Sequence, residues 1–237
     1  MSMFRILKFI SFLFMMSFTS ISIAQDSIPK VEGDLKYRED QFYIGLTYNI
    51  IGDVPSGVSS DGLTGGINFG FLRDMPINKN RNIAIAVGAG MAFDQYGQNI
   101  LIDKDSEGNT SYTVLNSNIS YDSNNIKTGI IELPVELRWR SSTPTINKFW
   151  RVYAGFRLGY TFWNRYSYKD SSQSISYNSV KEYEKLRLNA TMSLGFNKFN
   201  FFVNYSLNPF FNEKALTTDG EQVNFKTLKL GLIFYIL

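Results

Sequence analysis

The chain has 237 residues, with 24 Lys or Arg, 21 Asp or Glu, and no Cys or His. The missing cysteines exclude disulfides and thiolate chemistry, and the missing histidines remove the usual general base near neutral pH and the commonest metal ligand. We therefore expect no metal and no cofactor. Because the charge is nearly balanced and no basic cluster with interleaved aromatics occurs, we expect no nucleic-acid partner.

Residues 1–24 have the three parts of a secretory signal peptide. Arg5 and Lys8 give a positive n-region, residues 9–18 are apolar, and a small-x-small cleavage site ends at Ala24. The apolar run is shorter than the roughly 20 residues that a membrane-spanning helix needs. We therefore interpret this segment as a cleaved export signal.

Residues 25–40 are polar and charged, and we interpret them as a periplasmic N-terminal tail. From residue 41 to residue 237, eight segments alternate apolar and polar residues with a period of two, which predicts β-strands. Their lengths suit tilted strands that cross a bilayer. The predicted strands are 42–51, 63–72, 83–93, 127–140, 150–163, 186–196, 199–207 and 223–237.

The predicted strand over 127–140 has the clearest alternation. One face is hydrocarbon and ends in an indole, whereas the other carries fixed charges. The apolar face consists of Ile131, Leu133, Val135, Leu137 and Trp139, and the charged face contains Glu132, Glu136 and Arg138. A chain that repeats such strands behind an export signal is typical of a transmembrane β-barrel.

The connections between the predicted strands alternate between short and long, and the longest, over 94–126, is expected to contain a hairpin. Short periplasmic turns and long outer loops are the pattern of outer-membrane barrels. An even strand count then places both termini in the periplasm. We predict an all-β fold, an eight-stranded antiparallel up-and-down transmembrane β-barrel in the bacterial outer membrane, surrounded by lipid and lipopolysaccharide.

Alternation alone does not say which face of the sheet points outward. A soluble, lipocalin-like barrel would turn its apolar face inward around a ligand. Here the polar face is dominated by Gly, Ala, Asn, Ser and Thr, which suits the narrow lumen of an eight-stranded barrel. Four aromatic residues are expected to form girdles at the two membrane interfaces: Trp139, Trp150, Tyr160 and Trp163.

Six charged residues fall on the predicted lumen face: Glu132, Glu136, Arg138, Arg157, Arg187 and Lys229. Because buried charges have to be paired, we interpret them as a structural ion network in which Glu132 lies roughly opposite Arg157. A proton or ion path is the functional alternative. A glycosidase pair is excluded for Glu132 and Glu136, because four residues along a strand span roughly 13 Å and such mechanisms use roughly 5–9.5 Å.

The acidic segment over 103–108 resembles the start of a calcium-binding loop. Its twelfth position would be Val114, where a calcium loop needs a bidentate glutamate. We therefore interpret it as a polar loop tip.

The strand over 129–140 and two other strands resemble a known family. Residues 130–139 are similar to the Leu-Glu-Ile-Pro-Leu strand of the PorT-like outer-membrane barrels of Bacteroidota, and 153–159 and 228–234 are similar to later strands of that family. The resemblance extends from about residue 42 onward. It implies an outer-membrane barrel associated with type IX secretion and gliding, in a role without known catalysis.

Three functional hypotheses follow. The leading one is a non-enzymatic component or accessory of an envelope protein machine such as type IX secretion, with other envelope proteins as partners. The second is a surface-binding, adhesin-like barrel that acts through its long loops over 94–126 and 164–185. The third is a small channel. Outer-membrane barrel enzymes rely on a histidine, which this chain lacks, so we predict no enzymatic activity.

Overall fold

The computed structural model describes residues 40–141, 150–196 and 199–236, which form eleven strands. In this part of the chain no helix is long and apolar enough to cross a membrane. The predicted signal peptide, and the predicted tail up to residue 39, lie outside the described residues. The strands are β1 (Gln41–Gly52), β2 (Gly65–Pro76), β3 (Ile83–Gly97), β4 (Ile100–Lys104), β5 (Thr110–Val114), β6 (Ser123–Arg140), β7 (Trp150–Lys169), β8 (Ser174–Asn178), β9 (Leu186–Phe196), β10 (Phe199–Ser206) and β11 (Lys226–Ile236).

Eight of these strands close into an antiparallel barrel. Each strand pairs with the next long strand along the chain, and β1 pairs with β11, so that Phe42 lies opposite Ile236 and Gly52 opposite Lys226. Closure leaves no barrel strand with an unpaired edge, which the hydrocarbon of a bilayer requires. The predicted eight-stranded up-and-down barrel is therefore confirmed.

The remaining three strands lie beyond the barrel, at the end with the long connections. Strands β4 and β5 form the expected hairpin, with Ile102 opposite Tyr112. Strand β8 pairs with the outer part of β7, with Tyr177 opposite Tyr166. The sequence did not predict β8, whose five residues include only two apolar positions, Ile175 and Tyr177. We call this end the long-loop end and the opposite one the short-turn end.

Several barrel strands continue further than the hydrophobic alternation predicted. Strand β2 reaches Pro76 instead of residue 72, β3 reaches Gly97 instead of residue 93, and β7 reaches Lys169 instead of residue 163. The extra residues are mainly polar at their outer positions, so a prediction based on apolar residues stops where the lipid-facing wall stops. Backbone pairing, in contrast, continues beyond the membrane.

The apolar faces of the barrel strands point outward and the polar faces point inward. On β6, Leu133 and Leu137 are 52% and 56% exposed, whereas Glu132 and Arg138 are 1% and 0% exposed. A soluble barrel would have the opposite arrangement, since it would bury its leucines and expose its charges. The structure therefore agrees with a lipid-facing outer wall.

A β-bulge on β7 reverses the side-chain alternation near the long-loop end. Gly129 pairs with Trp163 and Ile130 pairs with Thr161, which leaves Phe162 as the extra residue. Phe162 and Trp163 both point outward as a result. Every later residue of β7 has its orientation switched relative to strict alternation, as expected for a bulge.

Candidate functional site

The centre of the lumen contains a buried ion pair between Glu132 and Arg157. Arg157 Nη1 donates a hydrogen bond of 2.9 Å to Glu132 Oε2, and both side chains are 1% exposed. The guanidinium of Arg157 lies 5.1 Å from the ring centre of Tyr43 and 4.9 Å from that of Phe202. On the backbone, Arg157 lies opposite Pro134, two residues from the predicted partner, and the long side chain crosses this distance.

A second cluster lies toward the short-turn end and centres on Arg138. Its Nε and Nη2 atoms both lie 3.1 Å from Glu136 Oε2, and its Nη1 lies 3.3 Å from Asp74 Oδ1. Arg140 Nη1 binds the other oxygen of Asp74 at 2.8 Å. The Asp74 carboxylate therefore joins β2 to two arginines of β6 and links strands that are not direct neighbours.

The other two predicted lumen residues have separate partners near the long-loop end. Lys229 Nζ lies 2.5 Å from Asp94 Oδ2, and Asn49 donates to the other oxygen of Asp94 at 3.1 Å. Arg187 Nη2 donates to Ser206 Oγ at 2.6 Å and its guanidinium lies 4.6 Å from the ring centre of Phe210. The six predicted residues thus lie in separate groups instead of one continuous network.

Three members of these groups were missing from the sequence prediction: Asp74, Asp94 and Arg140. Asp74 and Asp94 fell in predicted connections because the strands β2 and β3 were predicted too short. Asp74 lies an even number of residues from Asn68, and Asp94 lies an even number from Ala92. Asn68 and Ala92 both point inward, so the two carboxylates are on the same inward face. Extending the parity beyond the apolar segment would have identified both carboxylates.

Large side chains fill the lumen between these charged groups. Tyr43, Tyr153, Phe202 and Tyr235 are all nearly inaccessible to solvent and belong to one buried cluster. The ring of Tyr43 fits because its neighbours across the sheet lack side chains. A Cβ atom at Gly90 would overlap the Tyr43 hydroxyl. The lumen is therefore a packed interior, as expected for eight strands.

The long-loop end of the barrel is covered by a second buried apolar cluster, which we call the loop platform. All four long connections and the adjoining strand ends contribute residues. They are Ile51, Val58, Tyr96, Ile100, Ile102, Tyr112, Leu115, Ile126, Tyr166, Tyr168, Val180, Tyr183, Phe210, Phe211, Ala215, Val223 and Phe225. Phe210 contacts four other rings, with centroid distances of 4.8 Å to Tyr96, 5.2 Å to Tyr183, 5.1 Å to Phe225 and 6.3 Å to Phe211.

Polar contacts fix the projecting hairpin against the rest of the loop platform. Tyr177 donates to Asp103 Oδ1 at 2.8 Å, and Tyr112 donates to Glu182 at 3.1 Å. Burial raises the pKa of Tyr112 above its ordinary value of 10, and the negative charge of Glu182 raises it further. The hairpin is therefore attached at both of its strands.

The tip of this hairpin is a self-contained polar turn. The Asn109 side chain donates to Asp105 Oδ2 at 2.9 Å, and the backbone amides of Glu107 and Asn109 donate to Oδ1. The hydrogen bond from the Asn109 side chain is the main cause of a lowered pKa of the Asp105 carboxyl. In the described part of the chain, no group of three or more acidic residues is arranged to hold a metal ion.

The four predicted girdle residues all lie on the outer wall, between 38% and 53% exposed. Trp139 and Trp150 lie at the short-turn end, whereas Tyr160 and Trp163 lie toward the long-loop end. Thirteen residues separate Trp150 from Trp163 on β7. At about 3.3 Å per residue and a tilt of about 40°, this corresponds to about 30 Å along the barrel axis, the thickness of a bilayer core.

An apolar outer wall around a filled, charged lumen defines an integral outer-membrane barrel. A model of the outer membrane protein beta-barrel domain family matches residues 23–212, and the chain belongs to this family. It is an outer-membrane β-barrel protein. This family is broader than the PorT-like barrels, so membership of that narrower group stays a prediction.

Further comparisons concern curated proteins and solved structures. A search of the curated proteins gave no match. The crystal structure of Ail, the attachment invasion locus protein of Yersinia pestis, is similar at 16% identity with a TM-score of 0.34, covering 87% of this chain and 100% of that one. Ail in complex with the heparin analogue sucrose octasulfate is similar at 15% identity with a TM-score of 0.32, covering 84% and 99%. Neither likeness bears on function.

Proposed function

We propose that this chain is a non-enzymatic outer-membrane barrel that binds a protein partner through its loop platform. The observation that carries the proposal is the single buried core that unites all four long connections. Loops that are already ordered lose little further conformational entropy on binding, so a preorganised surface binds more tightly than mobile loops of the same composition. In this proposal the lumen charges hold the barrel strands in register.

The outer surface of the loop platform has a composition that suits protein recognition. Between residues 171 and 179, five of the nine residues are serine, and one tyrosine and one asparagine accompany them. Tyrosine supplies rigid contact area, while serine and asparagine supply adaptable hydrogen bonds, as in antibody binding loops. No charged residue occurs in this stretch, so shape and hydrogen bonding dominate its recognition.

The direction in which the loop platform points follows from the barrel pattern. Long loops of outer-membrane barrels face the outside and short turns face the periplasm. With eight barrel strands, both termini then lie in the periplasm. The loop platform would meet surface components, and the outer wall would meet lipid and lipopolysaccharide.

A charge-insertion variant tests the loop platform directly. Ser172→Arg, Ser174→Arg and Asn178→Arg together change exposed positions without touching the buried cluster. Partner adducts are trapped by cross-linking in native outer membranes. We expect a specific adduct in the wild type that disappears in this variant.

The matched control places the same kind of charge at the short-turn end, with Asn80→Arg in the exposed turn between β2 and β3. This control should keep the adduct. An adduct that survives in the loop platform variant would contradict the proposal, provided that both variants migrate as folded barrels in a heat-modifiability gel.

A second candidate is favoured by the sequence resemblance of residues 129–140 to PorT-like barrels. In that case the chain would be a component or accessory of an envelope machine such as type IX secretion, and its partner would be another envelope protein. Deleting the gene should then impair secretion, motility or the assembly of surface proteins. Unchanged phenotypes in all three assays would rule out this candidate.

A further inference from the structure

A row of polar residues crosses the outer wall just beyond the girdle at the long-loop end. Cross-strand pairing places Gly65 beside Gln95, Gln95 beside Lys127, and Lys127 beside Arg165. These four residues therefore form one cross-strand row on β2, β3, β6 and β7. Lys127 and Arg165 are both exposed.

The next row toward the short-turn end is apolar. Ile67 pairs with Phe93, Phe93 with Gly129, and Gly129 with Trp163. Because Trp163 belongs to the girdle, the neighbouring Lys127 and Arg165 of the polar row lie at the level of lipid headgroups, and Trp163 lies where the acyl chains begin. The boundary between the two rows thus marks the membrane surface.

A groove of about 410 Å³ opens on the outer wall across this boundary. It is lined at the apolar level by Leu46, Ile67, Phe93 and Trp163, and at the polar level by Gln95 and Lys127. Two buried residues, Thr128 and Asp94, also line it, and the Asp94 carboxylate is paired with Lys229. The groove exists because β2 begins with Gly65, which leaves the wall beside Gln95 without a side chain. It joins an apolar floor to a cationic rim.

The two cations at this rim differ from two others near the long-loop end, Lys226 and Lys169. Lys226 lies 3.3 Å from Asp53 and Lys169 lies 3.6 Å from Asp122. Within the described ranges, no carboxylate lies within 4 Å of Lys127 or Arg165, and Arg165 has one hydrogen bond, of 3.1 Å to Ser176 Oγ. The rim therefore presents positive charge that no carboxylate of the described ranges neutralises.

The bulge at Phe162 is what creates this pair of cations. With strict alternation Arg165 would share the inward orientation of Thr161 and point into the lumen. The extra residue turns it outward, beside Lys127. The same irregularity turns Trp163 outward, so one backbone feature builds both the rim and part of the floor.

We propose that this groove binds a phosphorylated glycolipid of the outer leaflet, lipid A, with a phosphate at Lys127 and Arg165 and an acyl chain against Leu46, Ile67 and Phe93. Charge complementarity selects an anionic amphiphile, and the position at the headgroup level selects a membrane lipid. The proposal rests on the outward orientation of the long-loop end, but not on the loop platform having a partner.

Native mass spectrometry of the purified barrel, titrated with diphosphoryl lipid A, tests the site. The variant Lys127→Gln/Arg165→Gln should bind roughly 30-fold more weakly, because each basic residue near a charged membrane surface contributes about a factor of five to ten. The matched control Lys181→Gln/Lys214→Gln removes the same charge from exposed loops, and its affinity should change less than about twofold.

The wild-type chain supplies an independent test with other lipids. We expect bis-dephosphorylated lipid A and phosphatidylglycerol to bind much more weakly than diphosphoryl lipid A. Equal binding of the dephosphorylated lipid would overturn the phosphate site, and equal binding of phosphatidylglycerol would overturn its assignment to lipid A. An equal loss of affinity in the two glutamine variants would also overturn the proposal. None of these outcomes affects the cross-linking test of the loop platform.

Discussion

Glu132 and Arg157 form a buried ion pair of the lumen, and their burial determines how a substitution should act. A carboxylate and a guanidinium removed from water each lose hydration, which the contact between them offsets. Removing one partner leaves the other charge buried without compensation. Arg157 would then keep the rings of Tyr43 and Phe202 beside its guanidinium and only the weaker attraction of Glu136.

We therefore predict that Glu132→Gln lowers the free energy of unfolding by about 3–5 kcal/mol. Urea unfolding of the barrel in lipid vesicles, followed by tryptophan fluorescence, measures the change. A double variant, Glu132→Leu/Arg157→Met, should recover most of the loss because it removes both charges.

An exposed ion pair of the same chain provides the control. Lys169 and Asp122 lie 3.6 Å apart and are each 62% exposed. Asp122→Asn should cost less than about 1 kcal/mol, because water screens the pair. If Glu132→Gln cost no more than Asp122→Asn, the lumen pair would not stabilise the barrel.

At the scale of secondary structure, the hydrophobic alternation identified each barrel strand and the bounds of β9, but it missed the polar extensions of β2, β3, β6 and β7. Contact with lipid requires apolar residues, whereas backbone pairing does not depend on residue type. Strands β6 and β7 therefore continue past the girdle with polar residues. Strand β8 illustrates the same limit, since it is five residues long and its two apolar residues, Ile175 and Tyr177, pack against the loop platform and not against lipid. The hairpin β4–β5 was predictable because its apolar residues pack inward on the loop platform.

The hairpin also leads to a prediction of pH dependence. The pKa of Tyr112 is raised in the folded protein by burial and by Glu182, relative to about 10 in an unfolded chain. A group with a raised folded-state pKa contributes stability that is complete below about pH 10 and is lost as the pH rises above it. The loop platform should therefore loosen above pH 10 while the barrel stays folded.

Cleavage by proteinase K between pH 8 and pH 12, mapped by mass spectrometry, measures this loosening. Cleavage within the loop platform should accelerate above about pH 10. Tyr112→Phe should weaken the pH dependence, because the phenylalanine cannot ionise. Identical pH profiles for the two proteins would show that Tyr112 does not contribute, and heat-modifiability gels report whether the barrel itself persists.

At the scale of the whole molecule, the filled lumen and the buried core of the loop platform block the barrel axis one after the other. A path through the barrel would have to pass Tyr43, Arg157 and Phe202, and then the rings around Phe210. Each of these side chains is almost completely buried by its neighbours. The architecture therefore favours a closed scaffold over a pore.

We predict that the full-length protein shows no unitary conductance in planar bilayers. A porin recorded under the same conditions serves as the positive control, and protection from protease confirms insertion. Discrete conductance steps from the inserted protein would contradict a closed lumen and would favour the small-channel hypothesis.

The sequence by itself determined the class of fold, because lipid contact imposes an alternation of apolar and polar residues that is present in every barrel strand. It also placed Glu132 near Arg157, since one short turn joins their strands and the register error was smaller than the reach of an arginine side chain. The lumen partners Asp74 and Asp94 were not recognised, because they lie on strand extensions where polar residues predominate and the predicted strands had already ended.

Only the tertiary structure decided which residues meet across the molecule. Lys229 binds Asp94 because β11 and β3 face each other across the lumen, 135 residues apart along the chain. The loop platform assembles from connections whose apolar residues have no period of their own. The bulge at Phe162 reverses the orientation of Arg165. The residue types in the sequence do not indicate where a strand carries one extra residue. Local periodicity encodes the environment of a strand, whereas closure, bulges and loop packing depend on contacts that form only when the barrel is complete.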